Sequence, residues 1–554
     1  MAIVLQQVSA LEKIRISDSL NFKETHSRTA MQGERVSYQI AIKDDNARFT
    51  AKVSVESELK DAVKLYRVKE VYADRPATEN IEGENYIITE PGYLPDVLVP
   101  IEDNGNMLTL TEQTATIWVK VNVPKDQAPG KYTVKVTFDE MHFGAPNTVL
   151  RSATAEMEID VIPAVMPEQK LIYTRWFYAD CIADHHNVSV YSEEHWALIE
   201  KYISAAAEVG INMILVPIHT PPLDTEVGTA RTCVQLVDIE KKGETYEFGF
   251  DKFKRFISIC KKCGIKYYEM AHLFSQWGAE CAPNIMVTEN GKTDYMFGWH
   301  VAASSPEYTA FLKQYIKAIA TELDKEGISE NTYFHVSDEP NTDNIEKYAT
   351  ARNIIKPLIG NSKTFDALSH YEFCEQGLVE CPVTSVSVIH SFLPHKIENQ
   401  WVYYCCGPQR TFTNSFIAMP SARVRVLGYQ IYKYDIKGFL HWGFNFYNAV
   451  RSRYHIDPYL TTSADGVFPS GDGFIVYPAK DGAYGSIRGE VTYQAIEDMN
   501  ICFALEEIIG RDAVVAMIDE AAGGELRFDS YPCDNGFTEN LRAKMIEEIQ
   551  KAAK

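Results

Sequence analysis

No apolar run in this 554-residue chain approaches the roughly 20 residues needed to cross a bilayer. The first stretch, "MAIVLQQVSALEKIRISDSL", has no basic start followed by an unbroken apolar core, so no export signal is read there and a cytoplasmic location is expected. Positive charge is also scarce. The formal net charge of −22 argues against nucleic acid or an anionic membrane as partner, because both reward clustered Lys and Arg. Cysteine is present but unpaired in pattern: there are 11, an odd number, and Cys405 and Cys406 are adjacent, unlike a secreted disulfide framework. "CKKC" (260–263) has no second ligand pair at zinc-site spacing, so a reduced structural role is expected. What the chain does have is core material, 45% hydrophobic and 12% aromatic residues. Its length exceeds what one hydrophobic core usually serves, so two or three domains are expected.

Residues 1–165 read as a β-sandwich. "RVSYQIAI", "FTAKVSVES", "TATIWVKVNV", "KYTVKVTF" and "SATAEMEIDVI" alternate polar and apolar residues, as strands buried on one face do, and no helix intervenes. "PKDQAPG" (124–130) has the Pro, Asp and Gly chemistry of a reversal. "VIPAVMPEQK" (161–170) reads as the linker.

From 170 to 487 strands and helices alternate. Strands are predicted at "KLIYTRWFYAD", "INMILVPIHT", "IKYYEMAHLF", "NTYFHVSDEP", "KTFDALSH", "TSVSVIHS", "QWVYYCCG" and "IKGFLHWGFN". Helices include "SEEHWALIEKYISAAAEVG", with Ser192 as N-cap and Gly210 closing it, and "SARVRVLGYQIYKYD". Parallel strands need crossover helices, so the pattern predicts a (β/α)8 TIM-type barrel, with a doubly wound open sheet as the competitor. The overall class is therefore α/β plus β, and residues 488–554 are expected to be helices packed on the barrel.

Barrel active sites lie at the C-terminal strand ends. Trp176, Tyr178 and Asp180 end the first predicted strand and His219 the second. The third reaches His272 and then Trp277, and the fourth ends in His335, Asp338 and Glu339. His370 and His390 end the fifth and sixth, Tyr403 and Tyr404 lie on the seventh, and His441, Trp442 and Asn445 end the eighth. Aromatic faces mixed with hydrogen-bonding groups suit a sugar, so the expected substrate is an oligosaccharide or glycoside. Sugar contacts are expected from Trp176, Asp180, His219, His272, Trp277, His335, His370, Tyr403, His441, Trp442 and Asn445.

Asp338 and Glu339 are the expected catalytic residues. Neighbouring Cα atoms are about 3.8 Å apart, close for two carboxylates on opposite sides of a glycosidic bond. Substrate assistance fits adjacency better. The 2-acetamido oxygen attacks its own anomeric carbon, Asp338 steadies the cyclic oxazolinium, and Glu339 protonates the leaving oxygen and later deprotonates water. The competing explanation is a capping turn, since acids and a proline also suit a helix start. A metal-dependent barrel hydrolase is a rival because of the histidines, but its usual His-x-His on the first strand is absent. A non-catalytic carbohydrate-binding protein is another.

"YFHVSDEP" resembles the signature of glycoside hydrolase family 123, the β-N-acetylgalactosaminidases, and of uncharacterised proteins sharing that catalytic domain. "WFYADCIADHHNVSVYSEEHW" (176–196), "GDGFIVYP" (471–478), "SIRGE" (486–490) and "PKDQAPGKYTVKVTF" resemble its other segments. The resemblance implies a sandwich plus barrel, retaining exo-hydrolysis of terminal β-linked N-acetylgalactosamine, no cofactor and no metal. It gives Asp338 the acetamido-stabilising role and Glu339 the acid/base role. A different β-hexosaminide or other glycoside remains the alternative substrate. "EVTYQAIEDMN" (490–500) departs from the family in lacking the Arg and aromatic residues expected around "IED".

Overall fold

The computed structural model describes residues 3–43, 49–111, 113–142, 144–276 and 278–553. Its centre is a closed barrel of eight parallel strands in sequential order. They are Ile172–Arg175, Met213–Val216, Tyr267–Met270, Thr332–Phe334, Lys363–Leu368, Cys381–Ser385, Trp401–Tyr403 and Gly438–His441. The last pairs with the first in register from Ile172↔Gly438 to Arg175↔His441, which closes the ring. The open-sheet alternative is thereby excluded.

Two of the crossover helices carry clear end signals. Ser192 caps Glu193–Glu208 by accepting from the His195 N–H. Ser305 caps Pro306–Glu326, with Pro306 in the first turn, and Gly327 ends it in the left-handed conformation. The predicted helix over 421–435 is two pieces, Ser421–Arg425 and Leu427–Lys433. A Cβ on Gly428 would run into the Ala495 carbonyl, so the close packing of the second piece on the C-terminal helix requires glycine there. Between strands five and six there is a single four-residue helix, Glu372–Glu375. Strand six also ends at Ser385, earlier than the sequence pattern suggested. His390 therefore sits in a short 3-10 turn.

Two hairpins lie among the barrel loops. Asp238–Lys242 with Thr245–Gly249 follows strand two, and Ile285–Glu289 with Lys292–Phe297 follows strand three. They join into one four-stranded sheet.

The N-terminal region supplies five strands of a seven-stranded sheet and packs it on a five-stranded one. Residues such as Tyr38, Ile40, Val53, Val119, Val136 and Phe138 fill the space between them. The outer face of the larger sheet presents Val71, Leu94, Val97 and Val99 to the barrel, where they merge with the barrel core. The supposed linker is partly strand, since Ala145–Val165 runs through its first half.

The boundary at 487 is also not a boundary of contact. Tyr477–Ala479 and Gly482–Ser486 form a hairpin whose second strand pairs with Gly92–Pro100 of the sandwich. The helical tail, Ile487–Ile509, Arg511–Ala522 and Asn535–Ala552, touches both units. Its acids answer the departure at 490–500: Glu490 meets Lys120 and Arg35, and Asp498 receives two bonds from Arg425. No helix among the described residues is long and apolar enough to cross a membrane.

Candidate active site

Strand four stops at Phe334, and the next residues run into the barrel mouth still tied to strand five. Val336 and Ser337 donate their N–H groups to Asp366 at 3.1 and 3.4 Å. Two residues on, Glu339 has φ +43°, a left-handed conformation that a non-glycine residue adopts at a cost. In an extended strand, neighbouring side chains would point to opposite faces. The left-handed residue breaks that alternation, and Asp338 and Glu339 both face one cavity of about 160 Å³. Its other walls include Trp176, Asp224, Gln276, Tyr403, Cys405, Cys406, Trp442 and Phe468.

The two acids differ in setting. Asp338 is 9% exposed, whereas Glu339 stands exposed at the rim. The Tyr403 hydroxyl donates to Glu339 Oε1 at 2.6 Å. Burial, and then the Glu339 charge, push the Asp338 carboxyl well above the usual carboxylate range, against a downward pull from His335. A perturbed acid beside a second acid in a cleft makes this a candidate reacting site.

Beneath the pair lies a buried relay. Glu269 of strand three accepts from Thr174 Oγ1 at 2.8 Å and from Trp176 Nε1 at 2.5 Å. His335 sits between Glu269 and Asp366, at 2.5 Å through Nε2 and 3.0 Å through Nδ1. Tyr348 donates to the other Asp366 oxygen at 2.5 Å. Burial alone would lower the His335 pKa, but the two carboxylates outweigh it and bring it to about 9, so His335 is an imidazolium at neutral pH. The His272 ring stacks on it at 3.7 Å, and burial, together with that charge, keeps His272 neutral. His272, His335 and Asp366 are the one trio of metal-ligating type clustered within 4.8 Å among the described residues. Both His335 nitrogens are already engaged by carboxylates, so the donor set is that of a hydrogen-bond relay.

Residues 176–505 match the family description "Glycoside hydrolase 123, catalytic domain", and residues 14–140 match "Glycoside hydrolase 123 N-terminal domain". The chain belongs to glycoside hydrolase family 123. It is therefore a glycoside hydrolase, with glycans as its substrates. Among solved structures it is similar to a family 123 glycoside hydrolase from Clostridium perfringens, described for glycolipid glycan hydrolysis. That match has 16% identity and a TM-score of 0.73, and covers 100% of this chain and 98% of the other. A family 5 mannosidase from Rhizomucor miehei matches at 12% identity and a TM-score of 0.36, over 63% of this chain and 96% of the other. No curated protein matches the sequence.

In this family 123 chain the predicted site residues separate by depth. Asp338, Glu339, Trp176, Tyr403 and Trp442 line the cavity. His219, His272, His335 and His441 are buried below or behind it. Asp180 is buried in the helix Ala179–His186 and pairs with Arg231 at 3.2 Å. Asn445 exchanges two hydrogen bonds with the Tyr178 backbone, at 2.9 and 3.0 Å, and so pins the first loop to the last. His370 is half-buried and does not line the cavity. Trp277 lies outside the described residues.

Sequence reasoning missed Asp224, Gln276, Phe468 and the two cysteines in the wall, and Glu269 and Asp366 beneath it. The last two had a signal: each is a lone acid inside an apolar strand, "YYEM" and "TFDAL", and a buried acid needs partners.

Proposed function

We propose that this enzyme is a retaining exo-hydrolase that removes terminal β-linked N-acetylgalactosamine through its substrate's own acetamido group. The observation that supports this best is the pair of consecutive acids turned by a left-handed Glu339 into one small cavity. About 160 Å³ is well below the roughly 300–1,000 Å³ of pockets for drug-sized ligands and suits a single saccharide ring at a chain end.

Asp338, deep in the site, accepts the acetamido N–H and then faces the positive charge of the oxazolinium ring as the acetamido oxygen closes on the anomeric carbon. Glu339, at the rim, gives its proton to the departing glycosidic oxygen and takes one from the incoming water. Before substrate binds, burial and the neighbouring Glu339 charge favour the protonated form of Asp338. An amide N–H donated to Asp338 favours its ionised form. The His335 imidazolium works in the same direction. Trp442 and Trp176 offer apolar faces to the sugar's C–H surfaces.

The test is kinetic. Glu339→Gln should lose about 10²–10⁴-fold on substrates with poor leaving groups, the usual worth of general acid catalysis, and far less on aryl glycosides whose aglycone leaves unprotonated. Asp338→Asn should slow both. A substrate with hydroxyl in place of the 2-acetamido group should not turn over. Its efficient hydrolysis, or equal small losses in both variants, would rule out the mechanism; Asp224, the third acid in the wall, would then be the candidate nucleophile. Comparing aryl N-acetylgalactosaminide with N-acetylglucosaminide tests the sugar.

A further inference from the structure

Two features of the cavity wall play no part in the chemistry above: the thiols of Cys405 and Cys406, which follow Tyr404 just past the end of strand seven. Their Sγ atoms face one another at 3.9 Å. The backbone that carries them is clamped. Cys405 N–H donates to the Gly407 carbonyl at 2.8 Å, Gln409 Nε2 donates to the Cys406 carbonyl at 2.8 Å, and Asn414 Nδ2 donates to the Cys405 and Pro408 carbonyls at 2.8 and 2.9 Å. Both side chains are half-buried and open to the same space as Glu339.

We propose that Cys405 and Cys406 form a two-thiol site in the active-site wall for trivalent arsenicals, whose occupation blocks the sugar cavity. Oxidation to a disulfide is the less favoured use of this pair. Adjacent Cα atoms are about 3.8 Å apart, short of the roughly 4.4–6.8 Å of unstrained disulfides. The neighbouring Cys406 thiol, burial and the facing Asp472 and Glu339 carboxylates hold Cys405 in the protonated form, which slows thiolate chemistry. Condensation with an arsenoxide needs no oxidant. Two S–H bonds and the As–O linkage break, two As–S bonds form, the two protons leave with the oxide oxygen as one water, and arsenic stays trivalent. Two sulfurs already converging at 3.9 Å need little movement to chelate one atom.

The effect on hydrolysis rests on the cavity being the active site; the chelation does not. Intact-protein mass spectrometry of the enzyme treated with phenylarsine oxide should show one adduct that survives a monothiol and is removed by a dithiol. Peptide mapping should place it on 405–406, and Cys405→Ser and Cys406→Ser should each abolish it. Cys260→Ser, which breaks the CKKC pair at 260–263, should not. Activity of the treated enzyme should be lost and regained with the dithiol, each variant being compared with its own untreated rate. No adduct, or one mapping elsewhere in the unaltered protein, overturns the proposal. An adduct on 405–406 that leaves hydrolysis intact upholds the dithiol site and overturns its blocking of the sugar cavity.

Discussion

His335 shows how burial and pairing together set the charge of one side chain. Its ring is fully buried, yet Glu269 and Asp366 grip both nitrogens and bring its pKa to about 9, from about 6.5 in an unfolded chain. The folded state therefore holds this proton more tightly. The stabilisation is fully present below about pH 6.5 and is lost as pH rises from there through about 9, a change on the order of 3 kcal/mol. Denaturant unfolding at pH 6 and at pH 9.5 should show this loss in the wild type and a much smaller one in His335→Gln. The same loss in both proteins would place the titration elsewhere. Tyr403 is the other single-residue test. Tyr403→Phe removes the hydroxyl that orients Glu339 and should cost about tenfold in kcat, the worth of one hydrogen bond, with KM little changed. Asp338 and Glu339 were legible because their motif falls where a strand runs out. The depth of the histidines was not, because a period of two assigns a face of the strand and says nothing of height along the barrel axis.

At the scale of elements, the long connection after strand eight does the work of a pocket wall. It contributes Trp442 and Phe468 to the cavity, and two acids hold it in shape. Asp472 accepts from Trp442 Nε1 at 2.9 Å. A Cβ on Gly443 would collide with the Asp472 backbone, so glycine is what lets the returning chain lie against the end of the strand. Asp74, from the sandwich, accepts from Thr461 Oγ1 at 2.9 Å and from Thr462 Oγ1 at 2.7 Å, which fixes the stretch leading to Phe468. Asp472→Ala should free the indole and raise KM several-fold with a smaller effect on kcat, and Asp472→Asn, which keeps an acceptor, should restore KM. A fall in kcat alone would argue against a positioning role. Asp472 also carries a pH signature. Burial raises it to about 7, so the folded state pays a cost that grows as pH rises from the unfolded carboxylate's range to about 7, and Asp472→Asn should flatten stability across that window. None of this loop was readable from hydrophobic period, since residues 445–470 form no strand and little helix. Beyond Asn445, only "GDGF" marked it, through the family resemblance.

For the whole molecule, the decisive feature is that sandwich, barrel and tail share charges as well as a core. Alternation found the sandwich strands and the strand–helix rhythm found the barrel, because both are local patterns. The joints are long-range: Asp96 of the sandwich receives Arg488 of the tail helix at 3.0–3.1 Å from Nε and 2.9 Å from Nη2. Arg488 also donates to the Gly471 and Phe474 carbonyls at 2.6 and 2.8 Å, so one guanidinium ties the sandwich to the segment that carries Asp472. Both partners are almost wholly buried. Removing the arginine leaves Asp96 with Lys13, 3.9 Å away, as its nearest cation, and burial has already drawn that lysine down to about 8. Breaking a buried pair in this way costs about 3–5 kcal/mol. Arg488→Met should therefore lower the unfolding midpoint of the entire chain while calorimetry still records one transition, because the outer face of the large sheet is part of the barrel core. It should also raise KM, since the carbonyls of 471–474 lose their anchor. Two separated transitions, with only the lower one shifted, would mean that the sandwich and barrel unfold independently and that this joint does not bear on the site.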